Sequence, residues 1–214
     1  MKHTLKIVRR GTRKKQYLRD FFLAYTALFC VTCLIVFLWY IIPRRTFIYN
    51  GNGWQQHYKA LVYYAKYLRS IIRNLFYDHC LVFPQWDFSL GEGNDILSTL
   101  HYYVIGDPFT LLSVFVPTRF MWVYYVVMVL LRLYLSGVAF SCLCFYTQED
   151  KGRLAVLAGS MAYAFCYWAI LNSARHPYFL NPMVYFPMII LGIERIIKKN
   201  KPWIFTLFVF FEHN

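Results

Sequence analysis

The stretch Asp20 to Ile42, DFFLAYTALFCVTCLIVFLWYII, decides how the whole chain is read. It is apolar for more than twenty residues and follows a leader, Lys2 to Arg19, with eight Lys and Arg and no acid. At about 1.5 Å rise per residue such a run crosses the roughly 30 Å hydrocarbon core, and Lys and Arg gather on the cytoplasmic side because they translocate poorly. The reading is a basic cytoplasmic leader, 1–19, and a membrane anchor, 20–42. A cleaved signal peptide would have an apolar region of only about 7–15 residues and a small-residue cleavage site. Here Ile41-Ile42-Pro43-Arg44-Arg45 follows instead.

Composition points the same way. Hydrophobic residues make up 59% of the 214, aromatic residues 21% and charged residues 15%, against about a quarter charged in a soluble domain. The net charge of +13 is not one nucleic-acid-binding patch. The basic residues sit in the leader, in one long loop and in short turns, the positive-inside pattern with contact to anionic lipid. Cys30, Cys33, Cys142, Cys144 and Cys166 lie inside apolar runs and read as small packing residues. The spacing of Cys30 and Cys33 would suit a redox or zinc site only with polar surroundings and further ligands, and Cys80 in a polar loop has no evident partner.

Three further complete spans are expected: 120–146, 154–171 and 179–197. The turn Thr147 to Arg153 is short and polar, and Arg195, Lys198, Lys199 and Lys201 again land on the cytoplasmic side, so alternation and charge give one topology. A fifth run at 202–214 holds only about ten apolar residues, about 15 Å, and reads as the start of another span in a longer membrane protein. The fold class is therefore all-α, a polytopic membrane protein with a long first extracellular loop, 43–119.

That loop holds five of the ten acidic residues, and a loop so long needs structure of its own. From Trp54 to Phe76, Tyr58, Leu61, Val62, Ala65, Leu68, Ile72 and Leu75 recur at helical spacing with Lys59, Lys66, Arg69 and Arg73 mostly elsewhere. This predicts an amphipathic helix on the leaflet or on the bundle, its cations meeting lipid phosphates or simply solvated. Between Asp87 and Asp95 three acids alternate with Gly91 and Gly93, whose tight turns would aim side chains into a cleft. The segment lacks the alternating oxygen ligands and terminal Glu of an EF-hand calcium loop. Ile96 to Pro117, interrupted by Gly106 and Pro108, predicts a pair of short interfacial helices. Arg132 lies near the middle of the second span, where a charge needs a partner or an aqueous cavity. No acid in the complete spans suits it, which leaves missing spans or a carrier phosphate.

Asn52-Gly53-Trp54-Gln55-Gln56-His57-Tyr58, Tyr67 to Ile72, Trp86-Asp87 with Gly91 and Gly93, Tyr102-Tyr103 to Asp107-Pro108, and His176-Pro177 with Asn181-Pro182 together resemble the N-terminal portion of YfhO-type bacterial membrane proteins, of the GT-C class of glycosyltransferases. The resemblance implies transfer of a sugar from a polyprenyl-phosphate carrier to an envelope polymer, such as lipoteichoic acid, on the outer face. Its partners would be membrane lipids, the lipid-linked sugar and the acceptor polymer, with no cofactor. Inverting transfer needs a base for the acceptor hydroxyl, and the family pattern would place Asp where this chain has Asn52. Either Asn52 orients the acceptor, or Asp87, Asp95 or Asp107 is the base, or the copy is inactive. Substrate contacts would come from Trp54, Gln56, His57, Tyr58, Arg69, Trp86, Glu92, Tyr103, Arg132 and His176. His57 could hold donor phosphate when protonated, and Trp54 and Trp86 could stack on sugar or serve as membrane-belt residues. The rival class, a transporter or flippase, would place polar residues within broken spans near the midplane.

Overall fold

The structure, a computed structural model, describes residues 2–43, 46, 48–147 and 152–213. It is an all-α polytopic membrane protein with four helical segments long and apolar enough to cross a bilayer: Lys15–Val36, Thr118–Thr147, Arg153–Arg175 and Pro177–Lys199. Lipid offers no partner to backbone N–H or C=O groups, so runs of this length satisfy those groups internally as helices. Helix α1 (Lys2–Val36) continues through the basic leader into the first span, and a short α2 (Leu38–Ile41) follows a break at Phe37. Helix α6 (Met121–Thr147) is central, packed against both α7 (Arg153–Ala164) and α9 (Asn181–Lys199), and α10 (Trp203–His213) lies along α9.

The spans meet through small residues and hydroxyls. A Cβ on Gly137 of α6 would sit 2.1 Å from the Tyr25 hydroxyl of α1 and 3.0 Å from the Ser160 carbonyl of α7. That close approach lets the Tyr25 hydroxyl donate to the Tyr134 carbonyl at 3.0 Å. Ser141 and Ser160 hydrogen-bond between α6 and α7 at 2.7 Å. The third span is not one helix: α7 ends at Ala164 and α8 (Tyr167–Arg175) begins after an extended Cys166. Helix α9 contains Pro187, which has no N–H to give the carbonyl four residues before it. That carbonyl belongs to Met183, and the Tyr163 hydroxyl of α7 donates to it at 3.0 Å.

Residues 48–117 form a cap on one side of the spans. A π-helical turn (Gly53–Tyr58) leads directly into α3 (Lys59–Tyr77), so the predicted amphipathic helix is present with a widened first turn. Its buried face differs from expectation. Leu61, Tyr64, Ala65 and Ile71 are buried, whereas Ile72 and Leu75 are 41% and 42% exposed. The packing of α3 against the short helices before the second span selects which of its sides is covered, and it takes in Tyr64 and Ile71 rather than Ile72 and Leu75. Strands β1 (Trp86–Asp87) and β2 (Asn94–Asp95) form a two-residue antiparallel hairpin whose turn uses Gly93 at φ 104°, backbone open to glycine. Three short helical pieces follow where two were expected: α4 (Ile96–His101), α5 (Pro108–Leu111) and a 3-10 turn (Leu112–Phe115). Leu61, Tyr64, Ile96, Leu100 and Val104 of the cap join Met121, Tyr125 and Val129 of α6 in one apolar core.

Removing the Tyr163 hydroxyl tests the repair at the proline. Tyr163→Phe is expected to cost about 1–3 kcal/mol by leaving the Met183 carbonyl unpaired. With Pro187→Ala, which restores the helical donor, the same change is expected to be nearly neutral. Unfolding of the four chains of this cycle in detergent micelles gives the coupling directly.

Candidate functional site

Arg132 organises the cap side of the spans. Its side chain starts about 17 Å of helix past Met121, and it is completely buried. Burying an ionised group in an apolar setting requires a counter-charge and hydrogen bonds. The structure supplies both from outside α6: Nη2 pairs with Asp107 Oδ2, and Nε donates to Asn181 Oδ1 at 2.7 Å. The guanidinium also lies over the Phe109 and Tyr178 rings, 5.1 Å from each centroid. The partner that the sequence reading sought in missing spans or a carrier phosphate is thus a loop carboxylate.

The loop is folded to deliver that carboxylate. Gly106 takes φ 87°, and Asp107 then caps α5, its Oδ1 accepting from the Phe109 amide at 2.8 Å while Oδ2 faces the arginine. The Thr110 hydroxyl donates to the Val104 carbonyl at 2.6 Å and shares the Asp107 carbonyl, and the Tyr124 hydroxyl of α6 donates to the Phe109 carbonyl. Pro108 at the first turn of α5 loses no hydrogen bond there.

Next to this pair stands a chain of three polar side chains. Asn52 Nδ2 lies 3.0 Å from His176 Nε2, and His176 Nδ1 lies 2.9 Å from His57 Nε2. Asn52 comes from the start of the π-helical turn, His57 from its end, and His176 from the junction between α8 and the 3-10 turn Pro177–Leu180. The junction joining the third and fourth spans therefore meets the first loop, which puts both on one side of the membrane. With the amide nitrogen facing the ring, His176 accepts at Nε2 and donates from Nδ1, leaving the hydrogen of His57 on Nδ1; turning the amide over reverses every bond. Both orders are complete with neutral rings. His57 is 1% exposed, and its Nδ1 has no hydrogen-bond partner among the described residues. Burial, with His176 alongside, pushes its pKa down to about 4. Burial and the Arg175 charge lower that of His176 as well. Both rings are neutral at pH 7, which suits a proton acceptor better than a cationic phosphate ligand. The Tyr178 ring joins the two groups, 5.4 Å from His57 and facing Arg132.

The other sequence-selected residues divide by place. Tyr103 stands edge-on to His57 at 5.4 Å. Trp54 stacks on Tyr58 at 4.8 Å, and Tyr58 in turn meets Tyr125 at 6.1 Å. Gln56 is exposed beside them. Asp87, Trp86, Glu92 and Asp95 lie in the hairpin, apart from the histidines. Asp87 accepts from the Tyr63 hydroxyl at 2.5 Å and the Ser89 amide at 2.7 Å, which hold its carboxyl below the usual range. Asp95 caps α4 through the Ser98 amide at 2.7 Å, with the same direction of shift. Arg69 lies farther along α3. Sequence reading passed over Tyr178 and noted Asn181 only within the Asn181-Pro182 motif of the resemblance. The available signal was their position within five residues of His176, beside a span whose neighbour carries an arginine. Among the described residues no cluster of three or more His, Cys, Asp or Glu could hold a metal ion.

Residues 26–212 match the family model described as bacterial membrane protein YfhO. No curated protein and no solved structure gives a match.

Two variants probe the electrostatics. Asp107→Asn leaves the Arg132 charge buried and is expected to cost about 3–5 kcal/mol, with much of that recovered when Arg132→Met is added; chemical unfolding in detergent measures both. For His57, the unfolded chain takes up its proton near pH 6.5 and the folded chain only near 4. Folding stability is therefore full above about 6.5 and declines as pH falls through that window. Melting temperatures recorded from pH 7.5 to 4 should show this decline in the native chain and a shallower one in His57→Gln.

Proposed function

The chain belongs to the YfhO family of bacterial membrane proteins, and we propose that it takes part in sugar transfer from a polyprenyl-phosphate carrier to an envelope polymer at the outer membrane face. The observation that carries this reading is the Asn52–His176–His57 chain at the cap side of the spans, where a lipid-borne phosphate and a polymer hydroxyl would meet. With Asn52 in place of a carboxylate, His176 is the proton acceptor. It is the less buried of the two rings, and its Nε2 lone pair faces half-exposed Asn52. The acceptor oxygen forms its bond to the sugar's anomeric carbon, the carbon–oxygen bond to the carrier phosphate breaks, and the phosphate departs with that electron pair. The acceptor hydroxyl takes the place of the Asn52 amide on the single His176 Nε2 lone pair, and its proton passes there. His57 holds the ring from the other side, accepting from Nδ1, and the displaced Asn52 amide orients the hydroxyl.

A neutral base is needed, and the lowered pKa of His176 supplies it. The positive-inside pattern of the leader supports the outer-face placement. Asp87, Asp95 and Asp107 fit this scheme as residues that hold the loop in shape, each committed to a cap, a turn or an ion pair. The second reading is a transporter or flippase, favoured by the break in the third span at Phe165 and Cys166.

The test is glycan analysis of envelope polymers from cells lacking the gene, complemented with the native chain, with His176→Ala and with Asn52→Asp. Loss of a sugar on deletion, its return with the native chain, and a drop of about 100-fold or more in transfer with His176→Ala are expected. An unchanged sugar content on deletion would sink the transferase reading and leave the transporter. Full rescue by His176→Ala would remove the histidine from the reaction.

A further inference from the structure

We propose that the cap carries a binding site for an anionic phospholipid, separate from the histidine cluster: a cationic cleft for the phosphate headgroup beside an apolar groove for an acyl chain. The cleft, about 350 Å³, is lined by Lys66, Arg69, Ser70 and Arg73 of α3 and by Thr118. The adjoining groove, about 460 Å³, shares Arg69 and Arg73 and is continued by Ile72, Phe76, Tyr77, Val114 and Phe115. A cationic head cavity joined to an aromatic tail cavity has the shape and polarity of a phospholipid.

Three observations decide the occupant. First, the charge is uncompensated. No carboxylate lines either cavity, and among the described residues no ion pair involves Lys66, Arg69 or Arg73. Second, the centre of the cleft is built. Arg69 donates from Nε to the Ala65 carbonyl at 3.0 Å, from Nη1 to the Val116 carbonyl at 3.0 Å and from Nη2 to the Thr118 hydroxyl at 3.4 Å. Its guanidinium is thus fixed in place by neutral acceptors while its full charge stays available, and the Thr118 hydroxyl keeps its own hydrogen for a phosphate oxygen. Third, the depth is right. Thr118 is the first residue of the second span, so the cleft sits where lipid phosphates lie. Phe76 and Phe115, 71% and 81% exposed, flank the groove as interfacial aromatics do. A free phosphate would have no use for the groove, and a zwitterionic lipid would bring its own cation to a cationic cleft.

The site lies about 14 Å or more along α3 from His57, so its lipid is not a reactant of the proposed transfer. Its effect is mechanical: the lipid seats α3 on the leaflet and holds the cap over the histidines. The proposal is independent of the sugar-transfer reading, and each can fail without the other.

The experiment uses the purified full chain in a neutral detergent, titrated with phosphatidylglycerol, with phosphatidylcholine of the same acyl chains, and with inorganic phosphate. Thermal stabilisation and retained lipid by native mass spectrometry are both read. Phosphatidylglycerol should be retained and should stabilise the chain well below the concentration at which phosphatidylcholine does, with inorganic phosphate ineffective. At about fivefold per cation near a membrane surface, Lys66→Gln and Arg73→Gln should each weaken the preference about fivefold. Among the described residues neither side chain has an internal hydrogen bond like those of Arg69, so both variants should fold. Lys59→Gln, on the same helix but outside the cleft, should leave the preference intact. Equal binding of the two lipids, stabilisation by inorganic phosphate as strong as by phosphatidylglycerol, or an undiminished preference in the Lys66 and Arg73 variants would each overturn the proposal.

Discussion

A guanidinium with no solvent exposure, set well inside an apolar helix, obliges the rest of the chain to bring it charge and hydrogen bonds, and much of the cap can be understood from that demand. Asp107 answers it from the first loop and Asn181 from the start of α9. Because those two partners lie 25 and 49 residues away along the chain, one side chain ties loop, second span and fourth span together. Such a pair contributes little net stability over a well-packed apolar replacement, yet losing one partner alone is costly. Its value here is positional: Tyr178 and the junction that carries His176 are held next to it, and through them the three-residue chain with Asn52 and His57.

The membrane architecture was legible because it depends on composition over long windows. Runs of twenty apolar residues and the siting of Lys and Arg express the solvent, and little tertiary context can override them. Four spans, a long first loop with an amphipathic helix, and short helices before the second span all followed from such patterns. What did not follow were features set by contact. The covered face of α3 is chosen by the short helices packed against it, which no periodicity within α3 encodes, and no residue type announces the π-helical turn that precedes it. The break in the third span lies in an apolar sequence, CYW after AF, with no proline or glycine to mark it.

The site was legible in part, for a related reason. Asn52, His57 and Tyr103 of the first loop and His176 beside the fourth span were named through the motifs that carry the family resemblance, and they do come together. Their pairing across 119 and 124 residues is a property of topology that spacing does not encode. For the carboxylates, too, the contacts add what spacing does not show. An acid among glycines looks available, but Asp87 and Asp95 sit where backbone amides of a turn and a helix start need acceptors. Arg132 was correctly singled out as expensive, while its counter-ion lay in the loop, outside the segments where a partner was sought.

The order of the partners along the chain also bears on how the protein is made. Synthesis runs from the N-terminus, so Asp107 already exists when Arg132 leaves the ribosome, whereas Asn181 arrives only after two further helices. The costly charge therefore has its carboxylate within the chain already made when the second span inserts, and its neutral ligand comes last. A chain with only its first two spans made thus already holds the counter-charge for its buried arginine, and need not expose an unpaired guanidinium to lipid.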